Sequence, residues 1–94
     1  MSIFIKEMIK NKLKNIKTDE LLHYSQQYGF RLTEAQAQQI ALYLRNNTLD
    51  PFNRKARQQM FSHLAAITDD QTASKAEQLL YSLVQSYGLE HLFQ

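Results

Sequence analysis

The sequence predicts an all-α fold, a compact single-domain bundle of about five short helices. Apolar residues recur at intervals of three and four along most of the 94 residues. No segment shows the strict alternation of a strand, and only two glycines and one proline are present. A chain of this length has room for one core, so we expect one domain over residues 1–94, with residues 89–94 as a short C-terminal tail.

The first two helices are predicted from apolar spacing and end signals. Helix 1 is predicted over residues 2–15, and its buried stripe is Ile5, Met8, Ile9, Leu13 and Ile16. Thr18 is the expected N-cap of helix 2, with Asp19 and Glu20 in the first turn. Gly29 is expected to end helix 2, and the inward residues are Leu21, Leu22, Ser25 and Tyr28.

Helix 3 has the clearest start signal in the chain. Thr33 and Gln36 have the spacing of a capping box, in which each side chain bonds the backbone N–H of the other. The predicted buried stripe is Ala37, Ile40, Ala41 and Leu44. Asn46 and Asn47 are expected to end the helix.

Helices 4 and 5 complete the prediction. Asp50 followed by Pro51 is typical of an N-cap and first helical position, so helix 4 is predicted from there to about Ala66. A capping box beginning at Thr68 predicts helix 5, which runs to Tyr87 and ends at Gly88. The predicted stripe of helix 5 is Ala73, Ala76, Leu79, Leu80, Leu83, Val84 and Tyr87.

Composition excludes several kinds of chemistry. The chain has no cysteine, so disulfides, thiolate metal sites and cysteine nucleophiles are absent. His23, His63 and His91 lack the spacing of a metal site, and no Gly-rich phosphate loop is present. We therefore expect a protein that is not an enzyme, without catalytic residues, cofactor or metal. No apolar segment is long enough for a membrane span or signal peptide, and we expect a cytoplasmic location.

Charge is segregated along the chain, although the net charge is only +2. Residues 1–17 contain five lysines and one glutamate, whereas residues 68–94 contain four carboxylates and one lysine. The simplest interpretation is that these opposite blocks face each other within the fold. The alternative is that the basic block binds an anionic partner.

Helix 1 carries a lysine ladder that defines the first candidate surface. Lys6, Lys10 and Lys14 are four residues apart, and Lys17 follows three residues later, so all four share one helical face. Like charges at this spacing are slightly unfavourable. The interpretations are a solvated outer face, a phosphate contact, an acidic protein partner, or a basic amphipathic helix on an anionic membrane.

The outer face of helix 4 is the second candidate surface. Phe52, Ala56, Met60, Leu64 and Ile67 are predicted to face the core. Arg54, Arg57 and Phe61 then point elsewhere, and arginine beside an aromatic residue is favoured at protein interfaces. The alternative is that Phe61 packs beneath helix 1 or the tail.

These surfaces favour a protein-interaction module whose partner is another protein of unknown identity. The expected partner-binding residues are Lys6, Lys10, Lys14, Arg54, Arg57 and Phe61, with Phe61 as the apolar anchor. The alternative function is a nucleic-acid-binding module that uses the basic faces of helices 1 and 4. A homodimer formed through helix 1 or the tail is a third interpretation.

Three segments resemble one known family. These are the opening MSIFIKEMIKNKLKNI, the segment TDELLHYSQQYGF, and the pattern Ala-x-x-Ile-Ala-x-Tyr-Leu-Arg at residues 37–45. Together they look like the YqfT-like family, short all-helical uncharacterised proteins of Bacillus-type bacteria. The resemblance implies a helical intracellular domain and supplies no activity or site residues.

Overall fold

The computed structural model describes residues 2–47 and 49–93, with side chains from Phe4 onward. Within these residues the chain forms five α-helices and one 3₁₀ turn, and the all-α prediction is confirmed. The elements are α1 (Ser2–Lys14), α2 (Thr18–Tyr28), α3 (Glu34–Asn46), α4 (Arg54–Ile67), α5 (Asp70–Ser86) and η1 (Glu90–Leu92).

The turn between α2 and α3 forms as its residues predict. Gly29 adopts the left-handed conformation at φ 74°, where an L side chain would be strained. The N–H of Phe30 then donates to the carbonyl of Ser25 at 2.9 Å, which closes the end of α2. The Thr33 hydroxyl accepts the N–H of Gln36 and the Gln36 side chain accepts the N–H of Thr33, both at 3.0 Å. The predicted capping box is therefore confirmed.

Two predicted helix starts are shifted by local hydrogen bonding. Lys17, not Thr18, is the N-cap of α2, since the Glu20 carboxylate reaches back to the Lys17 N–H at 3.0 Å. Helix α4 begins at Arg54 with Asn53 as N-cap, whose side chain accepts the N–H of Ala56 at 2.9 Å. The predicted start at Asp50 is wrong because the Asp50 side chain caps a separate turn, which precedes the helix.

The junction between α4 and α5 also differs by one residue from the prediction. Asp69 is the N-cap of α5, and its carboxylate accepts the N–H of Thr72 at 2.6 Å. The N–H and hydroxyl of Thr68 both bond to the carbonyl of Leu64, so Thr68 closes α4 instead of opening α5. Each residue satisfies a different unpaired helix end.

Helix α3 lies at the centre of the fold. Its four predicted stripe residues, Ala37, Ile40, Ala41 and Leu44, are all buried. Helices α1, α2 and α4 all pack against α3, and α5 packs against α4 and α2. The small side chains of Ala37 and Ala41 allow the neighbouring helices to pack closely against α3.

The C-terminal tail packs back on the bundle over residues 89–93. Gly88 takes the left-handed conformation at φ 69°, and the Leu89 N–H donates to the carbonyl of Val84 at 3.0 Å. Leu89 is buried in the core. The Phe93 ring lies against Phe52 with their centroids 5.7 Å apart, so the tail covers the start of α4.

In the part of the chain that the structure describes, no Cα atom of α1 lies within 8 Å of a Cα atom of α5. Their predicted apolar stripes are consequently only partly covered. Met8 on α1 is 54% exposed, and Leu83 and Tyr87 on α5 are 37% and 58% exposed. An apolar opening remains between the two helices.

Candidate interaction surfaces

The lysine ladder lies along one flank of α1. Lys14 is exposed, and Lys6 and Lys10 are partly covered. The Lys6 Nζ sits over the ring of Phe52, 5.4 Å from its centroid, which brings α1 to the start of α4. Lys10 forms an ion pair with Glu7 on the same helix at 3.2 Å, so the ladder is partly neutralised at that turn.

Arg57 reaches the same aromatic pair from α4. Its guanidinium carbon lies 4.4 Å from the centroid of the Phe93 ring, and one guanidinium N–H donates to the Pro51 carbonyl at 3.0 Å. Phe93 in turn contacts Phe52, which lies beneath Lys6. Lys6 of α1 and Arg57 of α4 are therefore linked through the Phe52–Phe93 pair.

Arg54 extends this surface by one turn of α4. It is exposed and precedes Arg57 by three residues, so the two arginines lie on neighbouring parts of the helix surface. We define the basic face as five cationic side chains of α1 and α4: Lys6, Lys10, Lys14, Arg54 and Arg57.

Phe61 does not belong to the basic face. It is only 9% exposed and is part of the hydrophobic core with Met60 and Leu64. The prediction of an exposed Phe61 anchor is wrong because α4 is buried on two sides, against α3 and α5. Periodicity identifies one buried face on a helix, so Phe61, which lies off that face of α4, was predicted to be on the surface.

The ion pairs of α1 among the described residues are local and involve Glu7 and Glu20. Within residues 2–47 and 49–93 the ion pairs of α1 join Lys10 to Glu7 and Lys12 to Glu20, and neither uses a carboxylate of residues 68–94. The hydrogen bond to Glu20 raises the pKa of Lys12, and the same bond, followed by that from the Lys17 N–H, lowers the pKa of Glu20. Among the described residues no ion pair joins α1 to residues 68–94.

The opposite flank of α1 borders the opening toward α5, which we call the α1–α5 groove. Its volume is about 270 Å³, and Tyr24 of α2 forms part of its wall. The groove is walled mainly by apolar side chains, and Lys12 also lines it. Its lining residues include Met8, Lys12, Tyr24, Leu80, Leu83 and Tyr87.

A smaller cavity lies beneath the groove. Its volume is about 90 Å³, and its walls include the core residues Ile40, Leu44 and Met60. Leu13, Ile16, Tyr24, Leu80 and Leu83 line both spaces. The groove therefore continues toward the core.

The histidines make no metal centre in the described part of the chain. No cluster of three or more histidine, aspartate or glutamate side chains is placed to hold an ion there. His63 is exposed and stacks on Tyr43, with ring centroids 3.9 Å apart and planes 7° from parallel. Its observed contact is therefore a packing contact on the α3–α4 surface.

None of the helices that the structure describes has the length and apolarity needed to cross a membrane.

The α1–α5 groove was missed by sequence reasoning, although one signal could have indicated it. The predicted stripes of helices 1 and 5 are long, with five and seven apolar residues. Periodicity shows which residues share a face, but it does not show whether two such faces meet.

Comparison with known proteins gives a family and no activity. The sequence model described as "Protein of unknown function (DUF2624)" matches residues 1–84. The chain is also 32% identical over 77 residues to the uncharacterized protein YqfT of Bacillus subtilis strain 168, which covers 82% of this chain and 92% of that protein. No solved structure matches the chain significantly.

Proposed function

The chain belongs to the DUF2624 family, whose function is unknown, and we propose that it is a non-enzymatic module that binds an acidic segment of another protein through the basic face. The residues that carry this role are Lys6, Lys10, Lys14, Arg54 and Arg57. Phe61 is excluded from this set because it is buried.

One observation carries the proposal, namely the convergence of Lys6 and Arg57 on the Phe52–Phe93 pair. Residues that are about fifty positions apart in the chain thereby contribute to one positive surface. The aromatic rings fix the positions of two of the cations, which lowers the entropy lost when an anionic partner binds.

The charge of the face suits a partner with several carboxylates. Complementary charge chiefly accelerates encounter and sets the orientation of the complex, and exposed pairs contribute little affinity each. Binding should therefore be rapid and should weaken as salt is added, because screening shortens the range of the attraction.

Charge reversal tests the proposal in the native lysate. The tagged protein and its Lys14→Glu/Arg54→Glu variant are used for affinity capture after nuclease treatment, and bound proteins are quantified. We expect a protein retained by the native chain to be lost by the variant. The matched control is Lys55→Glu/Lys75→Glu, which makes the same charge change at two lysines outside the basic face and should retain the partner. Equal capture by all three proteins, or no specific partner, would contradict the proposal.

Nucleic acid is the second candidate, because the same basic face could follow a phosphate backbone. The exposed Tyr81 ring lies 5.9 Å from Phe93 at the edge of this face, and aromatic rings beside cations are used to stack bases. Five cations on duplex phosphates would give a slope of about −4.5 in a plot of log affinity against log salt. Capture that disappears with nuclease, together with such a slope for purified DNA or RNA, would move the assignment to nucleic acid.

A further inference from the structure

We propose that the α1–α5 groove binds a free long-chain carboxylate, with the aliphatic chain between α1 and α5 and the carboxylate at Lys12. This inference does not depend on the proposed function, since the basic face lies on the other flank of α1.

The dimensions of the groove suit a thin ligand. A volume of about 270 Å³ lies near the lower limit for small-molecule pockets, which is roughly 300 Å³. Along α1 the lining residues run from Met8 to Ile16, a distance of roughly 12 Å at the rise of an α-helix. The extended chain of a carboxylate such as dodecanoate is of comparable length.

The cavity beneath the groove favours an aliphatic chain over a protein partner. Its walls are apolar side chains of the core, which favour apolar guests. A partner helix is about 10 Å across with its side chains and would lie over the opening, so only single side chains could enter the cavity. A flexible alkyl chain can enter both spaces.

The groove offers polar groups for an anionic head. Lys12, Tyr24 and Tyr87 all line it. One ammonium and two hydroxyls provide the donors that a carboxylate accepts. The head therefore has a charged partner among the lining residues.

Glu20 is the native competitor for this site. Its carboxylate already bonds Lys12, so an incoming carboxylate must share or displace that bond. Removal of the Glu20 charge should consequently strengthen binding. Glutamine at position 20 can still accept the Lys17 N–H, so the start of α2 is retained.

Titration of the full chain with dodecanoate, below the concentration at which it forms micelles, tests the proposal. Calorimetry gives the affinity, and amide chemical shifts give the location. We expect saturable binding with shifts at α1, Tyr24 and the second half of α5. Lys12→Gln should weaken binding by about tenfold, as expected for a lost charge-assisted hydrogen bond. Lys14→Gln, on the other flank of the same helix, should change it by less than about twofold.

Two further comparisons distinguish the contribution of the ligand's carboxylate from that of its alkyl chain. Glu20→Gln should tighten binding of dodecanoate, and dodecanol should bind about tenfold more weakly than dodecanoate to the native protein. Leu83→Glu places a carboxylate in the groove wall and should abolish binding. Leu42→Glu makes the same change at an exposed leucine of α3, outside the groove, and should leave binding intact.

Three results would overturn the proposal. The first is uptake that does not saturate, or shifts that lie away from the groove. The second is equal binding of dodecanol and dodecanoate with no effect of Lys12→Gln. The third is a protein that is dimeric by sedimentation and whose groove amides shift on dilution, because a second copy of the chain would then occupy the groove.

Discussion

Helices α1 and α3 are both thirteen residues long and both carry an apolar stripe, yet they bury it to different degrees. All four stripe residues of α3 are buried, since three helices surround it. On α1 only the outermost part of the stripe, Ile16 just beyond the helix, is buried, and Met8 remains half exposed. The difference shows that burial is decided by how many neighbours a helix has, and that the helix with fewest neighbours retains surface for binding.

The two sides of the molecule therefore serve different roles. The stripe of α3 contributes more to stability than the stripe of α1, because its side chains are almost completely buried. The side along α1 carries both proposed binding surfaces, one on each flank. Substitutions on the two sides should consequently separate stability from binding.

The largest expected effect comes from truncation of a leucine on each side. Leu44→Ala removes a side chain that is 3% exposed, and it should lower the free energy of unfolding by about 2–5 kcal/mol. Leu83→Ala removes a side chain that is 37% exposed, so it should cost less, about 1–2 kcal/mol. Urea unfolding of the two variants measures both values. Equal losses would show that the groove is closed in solution and that Leu83 is as buried as Leu44.

The two glycine turns provide the next test, because one joins α2 to α3 and the other joins α5 to the tail. Both glycines have positive φ, and a methyl group at either would meet no other atom within 4 Å. Gly29→Ala and Gly88→Ala should therefore each cost about 1–2 kcal/mol through backbone strain alone. Thermal unfolding measures this cost. A much larger loss for Gly88→Ala would indicate that the tail detaches as a unit.

Loss of a helix cap should have a smaller effect on the free energy of unfolding. Thr33→Ala removes the hydroxyl that accepts the Gln36 N–H, and it should cost about 1 kcal/mol. Thr18→Ala should cost much less, since Thr18 is inside α2 and Lys17 occupies the cap position. Denaturant unfolding of the pair distinguishes the two cap assignments. A larger loss at Thr18 would contradict the assigned start of α2.

The smallest expected effect is a pH dependence of stability at a helix end that is capped by a carboxylate. The Thr72 N–H lowers the pKa of Asp69 below its usual 3.8, so the contribution of this cap is present above pH 3.8 and is lost as pH falls through the lower folded value. Asp69→Asn should remove this part of the acid dependence, whereas Thr33→Ala should leave it unchanged. Thermal midpoints between pH 2 and pH 6 provide the measurement. An identical acid dependence in the native chain and Asp69→Asn would contradict the cap assignment.

Local signals predicted the parts of the fold that depend on neighbouring residues in the chain. The capping box at Thr33 and the left-handed Gly29 and Gly88 all follow from hydrogen bonds that close within six residues. The α3 stripe was also predicted correctly, because a helix surrounded by others buries whichever face is apolar. The family resemblance was confirmed by the match over residues 1–84.

Features that depend on tertiary placement were not predicted. Phe61 is off the main stripe of α4 and was expected on the surface, but α4 lies between α3 and α5 and buries two faces. Met8, Leu83 and Tyr87 fit their helical stripes equally well and yet remain exposed. The convergence of Lys6 and Arg57 on Phe52 and Phe93 depends on how the tail folds back, which no local pattern specifies.

Lysine footprinting of the captured complex tests whether the partner binds the basic face, because lysines lie both on this face and outside it. Amine-reactive labelling of the free and the partner-bound protein, read by mass spectrometry, gives the protection of each lysine. We expect Lys6, Lys10 and Lys14 to become protected in the complex, while Lys55 and Lys75 keep their reactivity. Protection of Lys55 or Lys75 with unchanged labelling of the three α1 lysines would contradict binding at the basic face.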